Sequence, residues 1–247
     1  MKIIVDGLAT EYTENGSGPS IVLLHGWGSS ADVFVDLITN LAQKHRVFAI
    51  NLPGFGGSEQ PKTVWGIKDY AYFVAAFCKK FGLRPEAILG HSLGGQIAVH
   101  IVGNELLDPD KLILIGAAAL RPKLSAKKRS IKFLAKTGKS ILGKSALGEA
   151  AKKRLYGSIG SSEYLDSPAM QPIYRRVITE DQSEAAERID CQTLLLWGAS
   201  DTDTPLDHGK KLASLITRSE LKVNPGGHFI FLDAANDVNA AIMEFLN

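Results

Sequence analysis

Ser92 stands in Gly90-His91-Ser92-Leu93-Gly94-Gly95, directly after the apolar run Ala87–Leu89 and just before the mostly apolar stretch 96–106. A serine with a glycine two residues to either side suits a very tight turn from a strand into a helix. Such a turn strains the serine backbone, and only small neighbours let the chain pack that closely. It pushes the hydroxyl out at the carboxyl end of a strand and the head of a helix, where main-chain N–H groups can donate to a developing oxyanion. A hydroxyl is a poor nucleophile until a base takes its proton, and a carboxylate usually orients that base. The chemistry predicted for Ser92 is attack on a carbonyl, provided a base and an acid follow downstream.

Six histidines compete for the role of base. His91 adjoins Ser92, so its ring should point away from the hydroxyl, and His25 precedes a Gly-rich loop. His45, His100 and His208 fall in or at the ends of predicted helices. His228 follows Asn224-Pro225-Gly226-Gly227 at the end of the last predicted strand. It is the predicted general base; its plainer reading is a cap on the final helix. The acid should end another strand. The run Leu194–Trp197, then Gly198-Ala199-Ser200, leads to Asp201, with Asp203 and Asp207 as rivals that could equally be a cap or solvated charges. The strand ending near Gly116 is followed by Ala117-Ala118-Ala119-Leu120 and offers no carboxylate, which favours Asp201. Two main-chain donors must aim at one point to form an oxyanion hole. The N–H of Leu93 is one; the N–H of Trp27, flanked by Gly26 and Gly28, is the other. The Trp27 ring is also predicted to wall an apolar substrate pocket, or to pack for stability, and the two roles are compatible.

The elements that must position these residues are legible as alternating strands and helices. Lys2–Val5 and Ala9–Tyr12 read as a hairpin about Asp6-Gly7. Ile21–Leu24, Arg46–Ile50, Ala87–Leu89, Leu112–Ile115, Leu194–Leu196 and Glu220–Val223 read as strands. Helices are predicted over 31–43 (capped by Ser29 or Ser30), 67–81, 96–106, 206–215 and 230–245. Continuous apolar strands alternating with helices mean an α/β fold, a mostly parallel central sheet flanked by helices. Ligands bind such sheets at the carboxyl ends of the strands. Loops 25–28, 51–58, 90–95, 198–205 and 224–228 all lie there and should converge on one mouth. The rhythm breaks between 120 and 188, which reads as a helical cap inserted into a core made of 1–119 and 189–247.

With 247 residues, 45% of them hydrophobic and 22% charged, the chain is long enough to bury one sizeable core without staples. Its two cysteines, Cys78 and Cys191, make no disulfide framework and read as buried small hydrophobes. With no long apolar run, neither a transmembrane helix nor a signal peptide is expected, and the protein is assigned to the cytoplasm. The net charge of +2 hides an asymmetry. Residues 121–154 hold twelve Lys/Arg and one acid (+11), leaving sixteen Lys/Arg and twenty-five Asp/Glu (−9) elsewhere. Lys128, Lys132, Lys136 and Lys139 fall opposite Leu124, Ile131, Leu134, Ile141 and Leu142 on a helical projection. The plain reading is a solvated basic face; the sharper one is an anionic partner, either an acidic carrier protein or an anionic membrane surface. Few aromatics interleave with the lysines, which speaks against nucleic acid.

Taken together, His25-Gly26-Trp27-Gly28, Asn51-Leu52-Pro53-Gly54-Phe55-Gly56-Gly57-Ser58, Gly90-His91-Ser92-Leu93-Gly94-Gly95, Trp197-Gly198-x-x-Asp201 and Gly227-His228 occur in the order of the α/β-hydrolase superfamily. The chain resembles its small serine esterases with a helical cap, such as the pimeloyl-acyl-carrier-protein methyl ester carboxylesterase-like proteins. The family's Ser…Asp…His order falls on Ser92, Asp201 and His228, and the resemblance implies hydrolysis of a carboxylic ester through an acyl-enzyme, with no cofactor and no metal. Carbon–carbon bond hydrolases, cofactor-free perhydrolases and acyltransferases, and non-catalytic small-molecule receptors share these motifs and stay open. Asn51, where the family often has Asp, and Asp233-Ala234-Ala235, where it often has Glu-x-Pro, are departures outside the triad.

Overall fold

The computed structural model describes residues 1–121 and 170–247. Eight strands form one sheet: β1 (Lys2–Val5), β2 (Leu8–Asn15), β3 (Ser20–Leu24), β4 (Arg46–Ile50), β5 (Ala87–His91), β6 (Lys111–Ile115), β7 (Gln192–Gly198) and β8 (Ser219–Asn224). Their order is β1-β2-β4-β3-β5-β6-β7-β8. The pairs β1–β2 and β2–β4 are antiparallel, and every pair from β4 to β8 is parallel. This is the doubly covered, mostly parallel sheet expected from continuous apolar strands. Ile21–Leu24, Val47–Ile50, Ala87–Leu89, Leu112–Ile115 and Leu194–Trp197 are all fully buried, with side chains feeding two cores. One core lies under helices α2 (Ile67–Lys80) and α3 (Leu93–Gly103); the other under α1 (Val35–Leu41) and the C-terminal helix.

Several boundaries differ from expectation, each for a tertiary reason. The first hairpin does turn at Asp6-Gly7, both with positive φ, but β2 runs on to Asn15 so that Tyr12–Asn15 can pair with β4. The stretch predicted as one helix over 31–43 is a 3₁₀ turn, Ala31–Phe34, followed by α1. Ser30 caps it, and the Ala31 N–H is taken by Asn51 Oδ1 at 2.6 Å from the next strand's loop. Helix α3 begins at Leu93 rather than Gln96. Gly94 and Gly95 are poor helix formers, but they sit in the first turn because packing demands it. A Cβ on Gly94 would collide with the Leu24 carbonyl oxygen, and one on Gly95 would meet Ala117 Cβ at 2.6 Å. The final helix breaks at Ala234 into α7 (Ile230–Asp233) and α8 (Ala235–Leu246). The break leaves Asp233 Oδ2 to accept the Gly227 N–H at 2.8 Å.

Of the stretch 120–188, residues 122–169, including the basic amphipathic pattern, lie outside the described residues. Its return to the sheet carries two short helices, α4 (Gln171–Val177) and α5 (Ser183–Glu187). Its two ends are clasped together: Gln182 N donates to Ala119 O at 2.8 Å, and Arg121 N to Asp181 Oδ2 at 2.7 Å. Helix α6 (Leu206–Leu215) follows β7. No helix among the described residues is long and apolar enough to cross a membrane.

Candidate active site

The loops after β5, β6, β7 and β8 meet at the carboxyl edge of the sheet in that order. Ser92 ends β5 with φ 51° and ψ −112°, left-handed backbone that a non-glycine residue adopts at a cost of the order of 1–3 kcal/mol. The surroundings hold it there. Ser92 N donates to Ile115 O at 3.0 Å, and Ser92 O accepts from Ala118 N and Gln96 N, each at 3.0 Å. A Cβ on Gly90 would strike the Gly94 carbonyl, so both flanking glycines of the motif are sterically required. The strained turn read from the sequence is therefore present. Leu93 is the first residue of α3, so its N–H has no partner within the helix. Among the described residues neither the Leu93 N–H nor the Trp27 N–H makes a hydrogen bond.

Trp27 is oriented by His25, whose neutral ring bridges two loops. Its Nδ1–H donates to Gly26 O at 2.7 Å, and its Nε2 accepts from Leu52 N at 3.0 Å. Burial pushes the His25 pKa down to about 4, so the ring keeps this acceptor nitrogen at neutral pH. The Trp27 ring is half-buried between Phe55 at 4.9 Å and Tyr174 at 5.0 Å, centroid to centroid. One flank of the mouth is thus aromatic, and Tyr174 comes from the returning end of the insertion. Asn51, where a carboxylate was noted as commoner, donates through Nδ2 to Glu11 Oε2 at 2.6 Å, and Gly57 N donates to the same oxygen at 2.7 Å. An aspartate there would set two carboxylates side by side, so the amide is the consistent choice beside Glu11.

Asp201, Asp203 and Asp207 are separated by their environments. Asp203 is exposed, and Asp207 is exposed and paired with Lys210 at 3.6 Å. Asp201 is buried and its Oδ2 lies 2.8 Å from His228 Nδ1. Its Oδ1 accepts from Asp203 N and Thr204 N, both at 2.9 Å. Burial alone would push this carboxyl up. The His228 hydrogen bond and those from Thr204 outweigh it and hold Asp201 below the usual carboxylate range. A carboxylate at 2.8 Å requires the proton on Nδ1, which leaves Nε2 as the basic nitrogen.

Chain order explains how this pair forms across 27 residues. β7 and β8 are neighbours, and Ala199 N and Ser200 N donate to Asn224 O and Gly226 O, each at 2.9 Å. Ser92, however, lies three strands from β8, about 14 Å at 4.8 Å per strand, so the His228 loop must lean back over β7 and β6. Gly116, at the end of β6 with φ 49°, leaves the room. A Cβ there would stand 3.2 Å from Asp201 Oδ2, 3.2 Å from His228 Nδ1 and 3.3 Å from Thr204 Oγ1. His91 anchors the loop's backbone from below: its Nε2–H donates to His228 O at 3.0 Å, with ring centroids 4.7 Å apart. Burial, with the neighbouring His228 second, pushes the His91 pKa down to about 3. Among the described residues neither Ser92 Oγ nor His228 Nε2 makes a hydrogen bond.

Gly116, Thr204 and His91 as an anchor were not singled out from the sequence. A glycine closing an apolar strand and a Thr three residues after a candidate acid are weak signals, readable only once the strand order is known. The remaining histidines are occupied elsewhere: His45 lies 3.6 Å from Glu86, and His100 Nδ1 donates to Gln182 Oε1 at 2.8 Å. His208 is half-buried in the first turn of α6. Cys78 is buried and Cys191 half-buried, both as free thiols. Among the described residues no cluster of three His, Cys, Asp or Glu side chains could hold a metal ion.

Comparison with known proteins agrees with this fold. The model of the alpha/beta hydrolase fold family matches residues 19–135. The chain is 30% identical over 254 residues to a pimeloyl-[acyl-carrier protein] methyl ester esterase of Pseudoalteromonas atlantica, covering 93% of this chain and 95% of that protein. Among solved structures, an esterase from Exiguobacterium antarcticum superposes with a TM-score of 0.78 at 23% identity, covering 99% of this chain and 98% of that one. A meta-cleavage product hydrolase superposes with a TM-score of 0.76 at 22% identity over 100% of this chain and 97% of that one. The chain belongs to the α/β-hydrolase family. The coarse class that follows is a hydrolase.

Proposed function

We propose that the protein hydrolyses carboxylic esters through an acyl-enzyme on Ser92. His228 Nε2 takes the Ser92 Oγ proton as Oγ bonds to the ester carbonyl carbon. The N–H groups of Trp27 and Leu93 receive the resulting oxyanion, and Asp201 stabilises the imidazolium. Collapse breaks the ester C–O bond, and the leaving alcohol carries off the proton from His228. Water then attacks the acyl carbon with His228 again as base, releasing the acid and Ser92. The observation that carries this reading is the buried Asp201–His228 pair, with its basic nitrogen left free, at the same sheet edge as a strained serine.

A p-nitrophenyl ester series of rising acyl length tests it. The wild type should turn over at least part of the series, and Ser92→Ala should lose about 10⁴-fold or more in kcat. No turnover of any chain length by the wild type, or activity surviving in Ser92→Ala, overturns it.

The acyl group's carrier is proposed from charge. Residues 121–154 carry +11 and the rest −9, and a substrate presented on an acidic carrier protein would complement that block. The relative from Pseudoalteromonas atlantica is named for a pimeloyl-[acyl-carrier protein] methyl ester. Charge reversal of Lys128, Lys132 and Lys136 should slow turnover of a carrier-bound acyl ester while sparing small esters. Equal effects on both would refute the carrier reading, and an effect only with anionic vesicles would point to a membrane surface instead.

A further inference from the structure

Thr204 is 4% exposed, and buried hydroxyls are costly unless bonded. Its main chain is fixed at both ends: the N–H donates to Asp201 Oδ1 at 2.9 Å, and the carbonyl accepts from Trp197 Nε1 at 2.7 Å. The turn that cradles Asp201 is therefore complete without the side chain. Yet Oγ1 points into the acid–base pair, 2.8 Å from Asp201 Oδ2, 3.0 Å from Gly116 O and 3.3 Å from His228 Nδ1.

Two of those three neighbours can only accept, and the hydroxyl has one proton. The ionised carboxylate is the stronger acceptor and the nearer one, so the O–H is directed to Asp201 Oδ2. The Oγ1 lone pairs then face His228 Nδ1, whose N–H is shared between Oδ2 and Oγ1. We propose that the Thr204 hydroxyl is a positioning residue for the reaction, holding Asp201 Oδ2 and the His228 ring in register over Gly116 and moderating how strongly the carboxylate draws the imidazole proton. The proposal rests on the reading of His228 as the base. Gly116 is its steric counterpart, because any side chain there would occupy the space where the three polar atoms meet.

The titratable groups around His228 among the described residues are Asp201 and His91, with His25 close enough to influence His91 and His208 close enough to feel Asp201. Burial is the largest influence on each of the three histidines and lowers their pKa values. Asp201 is the carboxylate in direct contact with His228, and a donor removed from Oδ2 should be felt at the ring. With one hydrogen bond fewer, the negative charge on Oδ2 is less dispersed and the imidazolium is better stabilised.

The test compares Thr204→Val with Thr204→Ser, and Thr204→Ala with Thr204→Ser, the latter two differing only in the hydroxyl. In Thr204→Val and Thr204→Ala the His228 pKa, read from its ring proton by NMR titration, should rise by about half a unit to one unit. The acid limb of kcat/KM should move up with it. kcat should fall about 10-fold with KM little changed, as expected when ring orientation is lost rather than binding. Thr204→Ser should return both quantities to near wild-type values. A His228 titration that stays put in both hydroxyl-free variants overturns the proposal. So does a downward shift, since that would mean the hydroxyl serves only to accept from Nδ1. A merely structural Thr204 would lower Tm without moving the titration. The NMR readout needs no substrate, so a wild type without esterase activity would sink the proposed function while still deciding this point.

Discussion

Ser92 and the Asp201–His228 pair lie on opposite sides of Gly116, and they are held by different means. Around Ser92 the restraint is steric. Gly90, Gly94 and Gly95 leave no room for a Cβ, and main-chain hydrogen bonds from β6 and α3 grip the serine backbone. Around Asp201 and His228 the restraint is polar. Four donors converge on one carboxylate, and three of them come from residues 203 and 204. The first half should break by collision and the second by loss of a hydrogen bond or proton. Holding Ser92 in its strained turn therefore calls for absent side chains, while holding the Asp201–His228 pair calls for present ones.

The largest effect is expected on the polar side. Asp201→Asn would turn an N–H toward His228 Nδ1 and force the other tautomer, removing the lone pair on Nε2. A kcat loss of about 10⁴-fold with an unchanged fold by circular dichroism is expected; a loss under about tenfold would show that Asp201 is not the orienting acid. On the steric side, Gly94→Ala drives a Cβ into the Leu24 carbonyl oxygen. Destabilisation of about 3 kcal/mol, near the upper end for overpacking, should lower Tm by roughly 6–12 °C. An unchanged Tm would mean the elbow can open without cost.

Gly116→Ala tests the boundary between the halves. Its methyl would crowd Asp201 Oδ2, His228 Nδ1 and Thr204 Oγ1, in a backbone conformation alanine rarely adopts. Displacement of the ring should cost about 10²-fold in kcat, with a smaller effect on Tm than Gly94→Ala. The reverse ranking would place Gly116 with the steric half.

The smallest effect lies in the pH dependence of stability, where the buried histidines and Asp201 separate by window. His25 and His91 are held neutral in the fold at pKa values of about 4 and 3, whereas the unfolded chain takes up protons below about 6.5. Their contribution is complete above about pH 6.5 and is lost progressively as pH falls toward about 4 for His25 and about 3 for His91. Asp201, lowered below the usual carboxylate range, contributes above about pH 4 and loses that contribution only at more acidic pH. Tm should therefore begin to fall below pH 6.5, and His25→Gln should flatten the slope between pH 6.5 and 4.5. A slope unchanged by that substitution would shift the effect to other groups.

Much of this was legible in the sequence because it is short-range. The tight turn at Ser92 follows from Gly90 and Gly94, and the parallel sheet follows from continuous apolar runs such as Leu112–Ile115, since sterics and periodicity act over a few residues. That Asp201 and His228 follow the last two strands was likewise readable from the turns that end them. The tertiary structure decided what depends on strands brought together from afar. It separated Asp201 from Asp203 and Asp207 by burying one and exposing two. It started α3 at Leu93 against the propensity of two glycines. It also set Gly116 and Thr204, 88 residues apart in the chain, against the same imidazole. Such contacts depend on which strand lies beside which, and a hydrogen bond between distant residues leaves no periodic trace in the sequence.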